Sequence, residues 1–166
     1  MGGRAHLKSM TPNIDIPDKE RAATVEILNR LLSDEYVLYT KTRNYHWNVT
    51  GPQFNDLHKF FEAQYEELND FVDEVAERAR QLGGRAYGSL AEFAKTARLT
   101  EQPGTVPAAK EMLATLLADH EAVIRTLRSD IGPVTDRYKD VGTTDFLTGL
   151  LEKHEKMAWM LRAFVA

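Results

Sequence analysis

Residues 84–106, GRAYGSLAEFAKTARLTEQPGTV, decide the fold because they form a long connection in a chain whose other connections are short. Loops beyond about 12–15 residues without secondary structure are uncommon inside a compact domain. Within this connection the stretch SLAEFAKTA, residues 89–97, predicts a short helix. The segment is therefore predicted to be a crossover that carries an extra helix.

Four long helices are predicted around this crossover, at about 17–47, 53–82, 107–133 and 144–166, and almost nothing has the pattern of a strand. Pro17 and Pro107 suit first helical turns, Gly83 and Gly84 suit the end of the second helix, and Thr144 is the predicted cap of the fourth. Apolar residues at three- and four-residue steps give the first and fourth helices their inward faces: Val25, Leu28, Leu32, Tyr36 and Tyr39; and Leu147, Leu150, Leu151, His154, Met157, Ala158 and Leu161.

Short turns join the first helix to the second and the third to the fourth, so each pair is predicted to be an antiparallel hairpin. Two hairpins joined by one long crossover are the ferritin-like arrangement. The predicted fold class is all-α, a ferritin-like four-helix bundle with a short extra helix in the crossover. Residues 16–166 form the domain, and residues 1–15 are predicted to be a flexible N-terminal tail.

The composition excludes several classes of function. The chain has no cysteine, which rules out disulfides and thiolate chemistry, and its net charge of -4 disfavours a general nucleic-acid binder. No stretch reaches the roughly 18 apolar residues of a membrane span, and no secretory signal is visible. We expect a cytoplasmic protein without a membrane partner.

The stretch NYHWNVTGPQFNDLHKFFE, residues 44–62, raises the question of a metal site, since His46 and His58 flank a turn and Glu62 follows. At about 100° per residue, Glu62, Asp73 and Glu77 lie within about 100° of His58 on one helix face. Fifteen residues separate His58 from Asp73, about 22 Å along the axis, so one ion cannot reach both. Two copies of the helix, antiparallel about a two-fold axis, would bring the ends together twice.

Two interpretations remain open from spacing alone: solvated polar residues on a long helix, or a metal site made between chains. Imidazole and carboxylate without thiolate suit iron(II), manganese or zinc. The intrachain di-iron centre needs Glu-x-x-His on two helices. Leu117 precedes His120 and Leu151 precedes His154 by three residues, so that motif is absent.

HWNVTGPQFNDLHKFFE (46–62), VDEVAERARQLGG (72–84), SLAEF and KHEKMAWML resemble the Dps family, the mini-ferritins called DNA-binding proteins from starved cells. The resemblance implies a homododecamer built from two-fold dimers, which oxidises Fe(II) with hydrogen peroxide in preference to O2 and stores ferric mineral. It implies an inter-subunit di-iron ferroxidase centre, with zinc or manganese as substitutes. The implied metal ligands and catalytic residues are His46, His58 and Glu62 of one chain with Asp73 and Glu77 of the other.

Further residues follow from the resemblance. Trp47 corresponds to a tryptophan beside the centre, and Asp136, Asp140 and Asp145 are candidates for acidic pores, with Asp140 offset by one position. Arg4, His6 and Lys8 lie in residues 1–14, which contain no acidic residue, and mobile basic tails of this kind bind DNA in some family members. The alternative function is therefore a nucleoid-structuring DNA-binding protein with secondary metal binding. DNA binding is expected to be weak, and Met10 is an alternative start to Met1.

Overall fold

The structure, a computed structural model, describes residues 11–166, and within that range it contains helices and no strands. In chain order the helices are α1 (Asp18–Asn48), α2 (Phe54–Gln81), α3 (Leu90–Thr96), α4 (Ala109–Asp136) and α5 (Val141–Val165). The predicted all-α fold is confirmed, with α3 inside the crossover. The residues proposed for a basic tail, and the two candidate starts, lie outside the described range.

The four long helices form two hairpins, α1 with α2 and α4 with α5, around one apolar core. The predicted inward face of α5 is buried, as are Leu28 and Leu32 of the predicted α1 stripe. Each fully buried leucine or phenylalanine contributes about 1.5–3 kcal/mol relative to an exposed one. The largest fully buried side chains come from α1, α2, α4 and the residue after α2: Leu28, Leu31, Leu32, Leu38, Leu57, Phe61, Leu68, Phe71, Leu82, Met112, Leu116 and Leu127.

The glycine pair after α2 ends the helix as predicted. Gly83 has φ of +84°, and its N–H donates to the Arg80 carbonyl at 2.9 Å, while the Gly84 N–H donates to the Ala79 carbonyl at 3.1 Å. These two bonds make a Schellman motif, which favours glycine at the left-handed position. A Cβ on Gly84 would lie 2.3 Å from the Val25 side chain, so the chain leaves α2 in close contact with α1.

Buried polar side chains of α1 hold the crossover in place. The Asn29 amide donates to the Arg85 carbonyl and accepts from the Tyr87 N–H, both at 2.9 Å. The Asp34 carboxylate accepts from the backbone N–H of Arg98 at 2.5 Å and from its guanidinium at 2.7 Å. These bonds give the backbone N–H and C=O groups of the crossover partners on α1 and hold the segment against that helix.

A third anchor lies further along α1, where the Lys41 ammonium donates to the Thr100 carbonyl and to Asp119 of α4, both at 2.6 Å. The short helix α3 has its own cap, since the Ser89 hydroxyl accepts from the Glu92 N–H. The crossover therefore covers the outer side of α1, which explains why that helix buries polar residues on faces that would otherwise meet water.

The predicted cap of α5 was wrong. The helix begins at Val141, and Asp140 caps it, because its carboxylate accepts from the Thr143 N–H at 2.9 Å and from the Thr143 hydroxyl at 2.6 Å. Aspartate is a stronger N-cap than threonine, and here it also pairs with Arg78 of α2 at 3.1 Å. Across residues 11–166, no helix combines the length and the apolar character that a membrane span requires.

Candidate metal centre

The two histidines of residues 44–62 meet across the turn between α1 and α2. His46 lies in the last turn of α1 and His58 in the second turn of α2, and their rings stack with centroids 3.8 Å apart and planes 17° apart. The His46 Nδ1 lies 2.7 Å from the His58 carbonyl oxygen, and the His58 Nδ1 lies 2.8 Å from the His46 carbonyl oxygen. Each ring is thus bonded to the backbone of the other residue.

These reciprocal bonds assign the tautomer of both rings. A carbonyl oxygen can only accept, so both Nδ1 atoms carry the hydrogen and donate it. The Nε2 atom of each neutral ring then holds a lone pair, the usual metal-binding state of a histidine whose other nitrogen is fixed by a hydrogen bond. His46 is buried and His58 half-buried. The pair therefore provides two oriented nitrogen donors near the surface.

Aromatic rings enclose the pair. The Tyr65 ring meets His46 edge-on at 5.2 Å, and Phe54, nearly half exposed, stacks on His58 at 5.1 Å. The Arg43 guanidinium lies 5.2 Å from the centroid of Trp47 and 5.3 Å from that of Tyr65. Burial, and next the negative charge of Glu62, raise the pKa of the Tyr65 phenol above its ordinary value.

Trp47 follows His46 directly and is 64% exposed. A tryptophan whose ring lies mostly in solvent contributes little to the core of its own chain. Its placement beside a metal centre stays a prediction, and the observed contact of its ring is with the Arg43 guanidinium.

The predicted carboxylates all lie on α2, on the side turned away from the core. Asp73 and Glu77 are exposed and Glu62 is half-buried, and none of the three takes part in an ion pair among the described residues. The helix is unbroken from His58 to Glu77, so the axial separation of about 22 Å between His58 and Asp73 stands. Along residues 11–166 of a single chain, no group of three or more such ligands is positioned to hold an ion.

The three pore candidates differ in position. Asp136 and Asp145 are exposed, near the end of α4 and the start of α5. Asp140 is only 2% exposed, and its carboxylate is occupied by the cap of α5 and by Arg78. A side chain buried in its own chain does not suit a pore lining, so the pore assignment of Asp140 is not supported.

A second histidine pair, which the sequence analysis did not identify as a site, lies in the bundle core. His120 of α4 and His154 of α5 face each other with their Nδ1 atoms 2.9 Å apart, and the His154 Nε2 lies 2.7 Å from Glu35 Oε1 of α1. All three side chains are fully buried. We call these three residues the core triad. The sequence feature that could have indicated this cluster is a histidine at an inward position of each of the last two helices.

Comparisons with known proteins agree with this architecture. The family model of the ferritin-like domain matches residues 25–166, which defines the class as ferritin-like. A "DNA protection during starvation protein 2" of Bacillus anthracis is 36% identical over 85% of this chain and 95% of its own length. The chain belongs to the Dps family of ferritin-like proteins, as the motifs predicted.

Two other similarities extend over almost the whole chain. An uncharacterised low temperature-induced protein of Nostoc sp. is 48% identical over 92% of this chain and 86% of its own length. The Dps protein of Vibrio cholerae, described as a ferritin-like diiron-carboxylate protein, superposes with a TM-score of 0.88 at 28% identity, over 95% of this chain and 98% of its own.

Proposed function

We propose that the protein is a Dps-type ferroxidase and iron-storage cage, which oxidises Fe(II) at sites between two-fold-related chains and keeps the ferric product inside a dodecamer. The observation that carries the proposal is the reciprocal bonding of His46 and His58, because it leaves two Nε2 lone pairs directed by the fold before any metal arrives. Membership of the Dps family supports the same conclusion.

The second half of each site is proposed to come from the partner chain. Asp73 and Glu77 are exposed and form no ion pair with any of residues 11–166 of their own chain, and they lie on the α2 face that also carries Glu62. An antiparallel two-fold packing of α2 brings this end of one helix beside His58 of the other, and it does so twice in each dimer. Such packing would also cover the exposed rings of Trp47 and Phe54.

The chemistry follows from the donor set and from the stoichiometry of peroxide reduction. Iron is the substrate here: two Fe(II) ions give two electrons to one hydrogen peroxide, whose O–O bond breaks to give two waters with two protons taken up. Because both electrons leave together, no hydroxyl radical is released. The carboxylates of Glu62, Asp73 and Glu77 favour the more highly charged ferric product, since anionic oxygen stabilises higher charge.

DNA is proposed to be protected through the removal of iron and peroxide rather than through tight binding. The chain carries a formal charge of -4, which a twelve-chain particle multiplies, and such a particle repels phosphate at physiological salt. A gel-shift titration of assembled protein with duplex DNA should show weak or no binding. A tight shift that disappears when residues 1–14 are deleted would favour the nucleoid-structuring alternative.

Subunit complementation tests the two-chain site. His46→Ala with His58→Ala removes the imidazole half, and Asp73→Ala with Glu77→Ala removes the partner's carboxylates. Each double variant should assemble to dodecamer scale but lose most peroxide-driven iron oxidation. After dissociation and joint reassembly, about half of the dimers are mixed and each has one complete site, so about a quarter of wild-type activity should return.

A matched control is Asp70→Ala with Glu74→Ala, which removes two exposed carboxylates from the same helix, each three residues before a predicted ligand. This variant should keep activity close to wild type, because the exposed pair of Glu74 with Lys153 contributes little stability. Failure of mixing to restore activity, with subunit exchange verified by mass labelling, would refute the two-chain site. So would a fully active monomer.

A further inference from the structure

The Arg43 guanidinium lies among three aromatic rings, near the end of α1 that carries His46. Its central carbon, Cζ, is 5.2 Å from the ring centroid of Trp47, 5.3 Å from that of Tyr65 and 5.8 Å from that of Tyr39. On α1, Tyr39 and Trp47 are four residues before and after Arg43, a spacing that brings side chains on a helix next to each other. One cation therefore contacts three rings beside the histidine pair.

Arg43 has no carboxylate partner in the part of the chain that the structure describes. Its Nη1 donates to the Tyr39 hydroxyl at 2.5 Å, its Nε has no hydrogen-bond partner, and none of the ion pairs among residues 11–166 includes it. An arginine side chain in a protein is always positively charged. The positive charge beside the Trp47 ring is therefore not cancelled by a direct negative partner within this range.

A neighbouring cation makes an aromatic ring harder to oxidise. The neutral indole attracts the guanidinium through the negative face of its π system. An indole that has lost one electron carries a positive charge and repels the guanidinium instead. Both effects favour the reduced ring. Even with the dielectric constant of water, the repulsion at 5.2 Å lowers the equilibrium constant for electron loss from Trp47 about fourfold.

Two of the three rings are beside the histidine pair, where the proposed iron chemistry takes place, and the role of Arg43 in that chemistry rests on the proposed function. Trp47 directly follows His46, and the Tyr65 ring meets the His46 ring at 5.2 Å. At Tyr65 the charges are mixed, because burial first and then glutamates of α2 raise the pKa of its phenol, whereas Arg43 lowers it. The effect of the Arg43 charge on oxidation is accordingly expected at Trp47.

We propose that Arg43 protects Trp47 from one-electron oxidation while iron(II) is oxidised at the neighbouring histidine pair. When peroxide meets one iron(II) ion instead of two, it gains a single electron and gives hydroxide and a hydroxyl radical. The step that Arg43 opposes is the transfer of one electron from the indole to this radical, which becomes hydroxide. The indole radical cation would then lose its N–H proton to water. Arg43 acts here through the indole and touches neither iron nor peroxide.

Chlorine dioxide tests the proposal on metal-free protein, so the result does not depend on ferroxidase activity. This uncharged radical takes one electron from tryptophan and becomes chlorite, and the charge of Arg43 neither attracts nor repels it. The variants are Arg43→Gln, which removes the charge, and Arg43→Lys, which keeps it. Trp159 on α5 takes part in none of the cation–ring contacts of residues 11–166, so its loss in the same sample measures the dose of oxidant.

Peptide mass spectrometry at partial conversion measures the loss of Trp47 relative to the loss of Trp159. We expect this ratio to rise about twofold or more in Arg43→Gln, because part of the fourfold change in equilibrium appears in the rate, and to stay near wild type in Arg43→Lys. The control Arg125→Gln removes an exposed arginine of α4 without a ring contact and should leave the ratio unchanged. An unchanged ratio in Arg43→Gln would overturn the proposal. Equal increases in Arg43→Gln and Arg43→Lys would also overturn it, since they would show that the shape of the side chain, and not its charge, shields the ring.

Iron turnover then separates this proposal from the proposed function. With iron(II) and peroxide, Arg43→Gln should lose more Trp47 for each iron oxidised than the wild-type protein does, whereas Arg43→Lys should resemble wild type. Equal survival of Trp47 in wild type and Arg43→Gln would refute protection during iron oxidation. If the wild-type protein oxidised no iron, the proposed function would fail, and the chlorine dioxide ratio would still decide whether the charge of Arg43 shields Trp47.

Discussion

The part of the chain that the structure describes contains two histidine pairs, each formed across one helical hairpin, and the two pairs differ in the partners of their ring nitrogens. In the surface pair, His46 and His58 donate to each other's backbone carbonyls, so both Nε2 lone pairs remain free. In the core pair, the ring nitrogens of His120 and His154 bond each other and Glu35. Residue type and position on the helix do not distinguish a histidine that could donate to a metal from one in a core hydrogen-bond network. The hydrogen-bond partner of Nδ1 does distinguish them.

The largest effect should come from removing a surface imidazole. We expect His58→Ala to lower the initial rate of peroxide-driven iron oxidation by more than about tenfold, since even partners of metal ligands are worth about 10–100-fold. Its free energy of unfolding should change by less than about 1 kcal/mol, because His58 is only half-buried. Stopped-flow ferric absorbance and denaturant unfolding measure the two quantities. A His58→Ala variant with unchanged rate would remove the distinction between the pairs.

The core pair should show the reverse pattern. Glu35→Ala leaves two buried imidazoles without their acidic partner. Removing one partner of such a buried pair lowers the free energy of unfolding by about 3–5 kcal/mol. Denaturant unfolding at a fixed protein concentration should show this loss. The exposed Asp73→Ala should stay within about 0.5 kcal/mol of wild type. Equal stability of the two variants would mean that the core triad does not support the bundle.

One contribution to the pH dependence of stability should come from the buried His120. Because the pKa of His120 is depressed in the folded chain, the unfolded chain takes up a proton near pH 6.5 that the folded chain does not. Its contribution is present above pH 6.5 and is lost below it, at about 1.4 kcal/mol per pH unit until the folded pKa is reached. Unfolding midpoints at pH 7.5 and 5.5 measure the slope, which should decrease in His120→Gln.

The smallest expected effect is a spectroscopic one at the surface pair. Cobalt(II) at the proposed centre should quench the fluorescence of Trp47, which directly follows His46. The chain has two tryptophans, and Trp159 lies exposed on α5. Quenching should therefore persist in Trp159→Phe and disappear in Trp47→Phe. Equal quenching in the two variants would place the bound metal elsewhere.

Most of the fold could be predicted from the sequence because it depends on local signals. The apolar periodicity of α5 predicts that helix, and the glycine pair after α2 predicts where α2 ends, both to within a few residues. For α5, the fourth of the long helices, the sequence predicted Thr144 as the N-cap, whereas the cap is Asp140. The glycine and two threonines at residues 142–144 resemble a cap themselves. The proposed surface ligands could be grouped from the sequence because residue spacing along one helix converts directly into angle and rise, and their role as ligands stays a prediction.

The core triad could not be predicted because its decisive member looks like a surface residue. Glu35 ends the run Ser33–Asp34–Glu35, which in isolation resembles the solvated side of a helix. The run is buried because the crossover covers α1 from outside, through Asp34 and Arg98, while Glu35 faces the other hairpin. Burial that arises from a distant segment leaves no local periodicity to detect.

The turn between α1 and α2 is closed by the same two bonds that orient His46 and His58. The conformational entropy of those rings is therefore lost when the hairpin folds, and an arriving ion has no further rotamer freedom to remove. The two carbonyls that accept these bonds belong to residues inside α1 and α2, so the helices hold their backbone in place. If these rings bind the proposed metal, we expect their torsion angles to be the same in the metal-free and loaded forms.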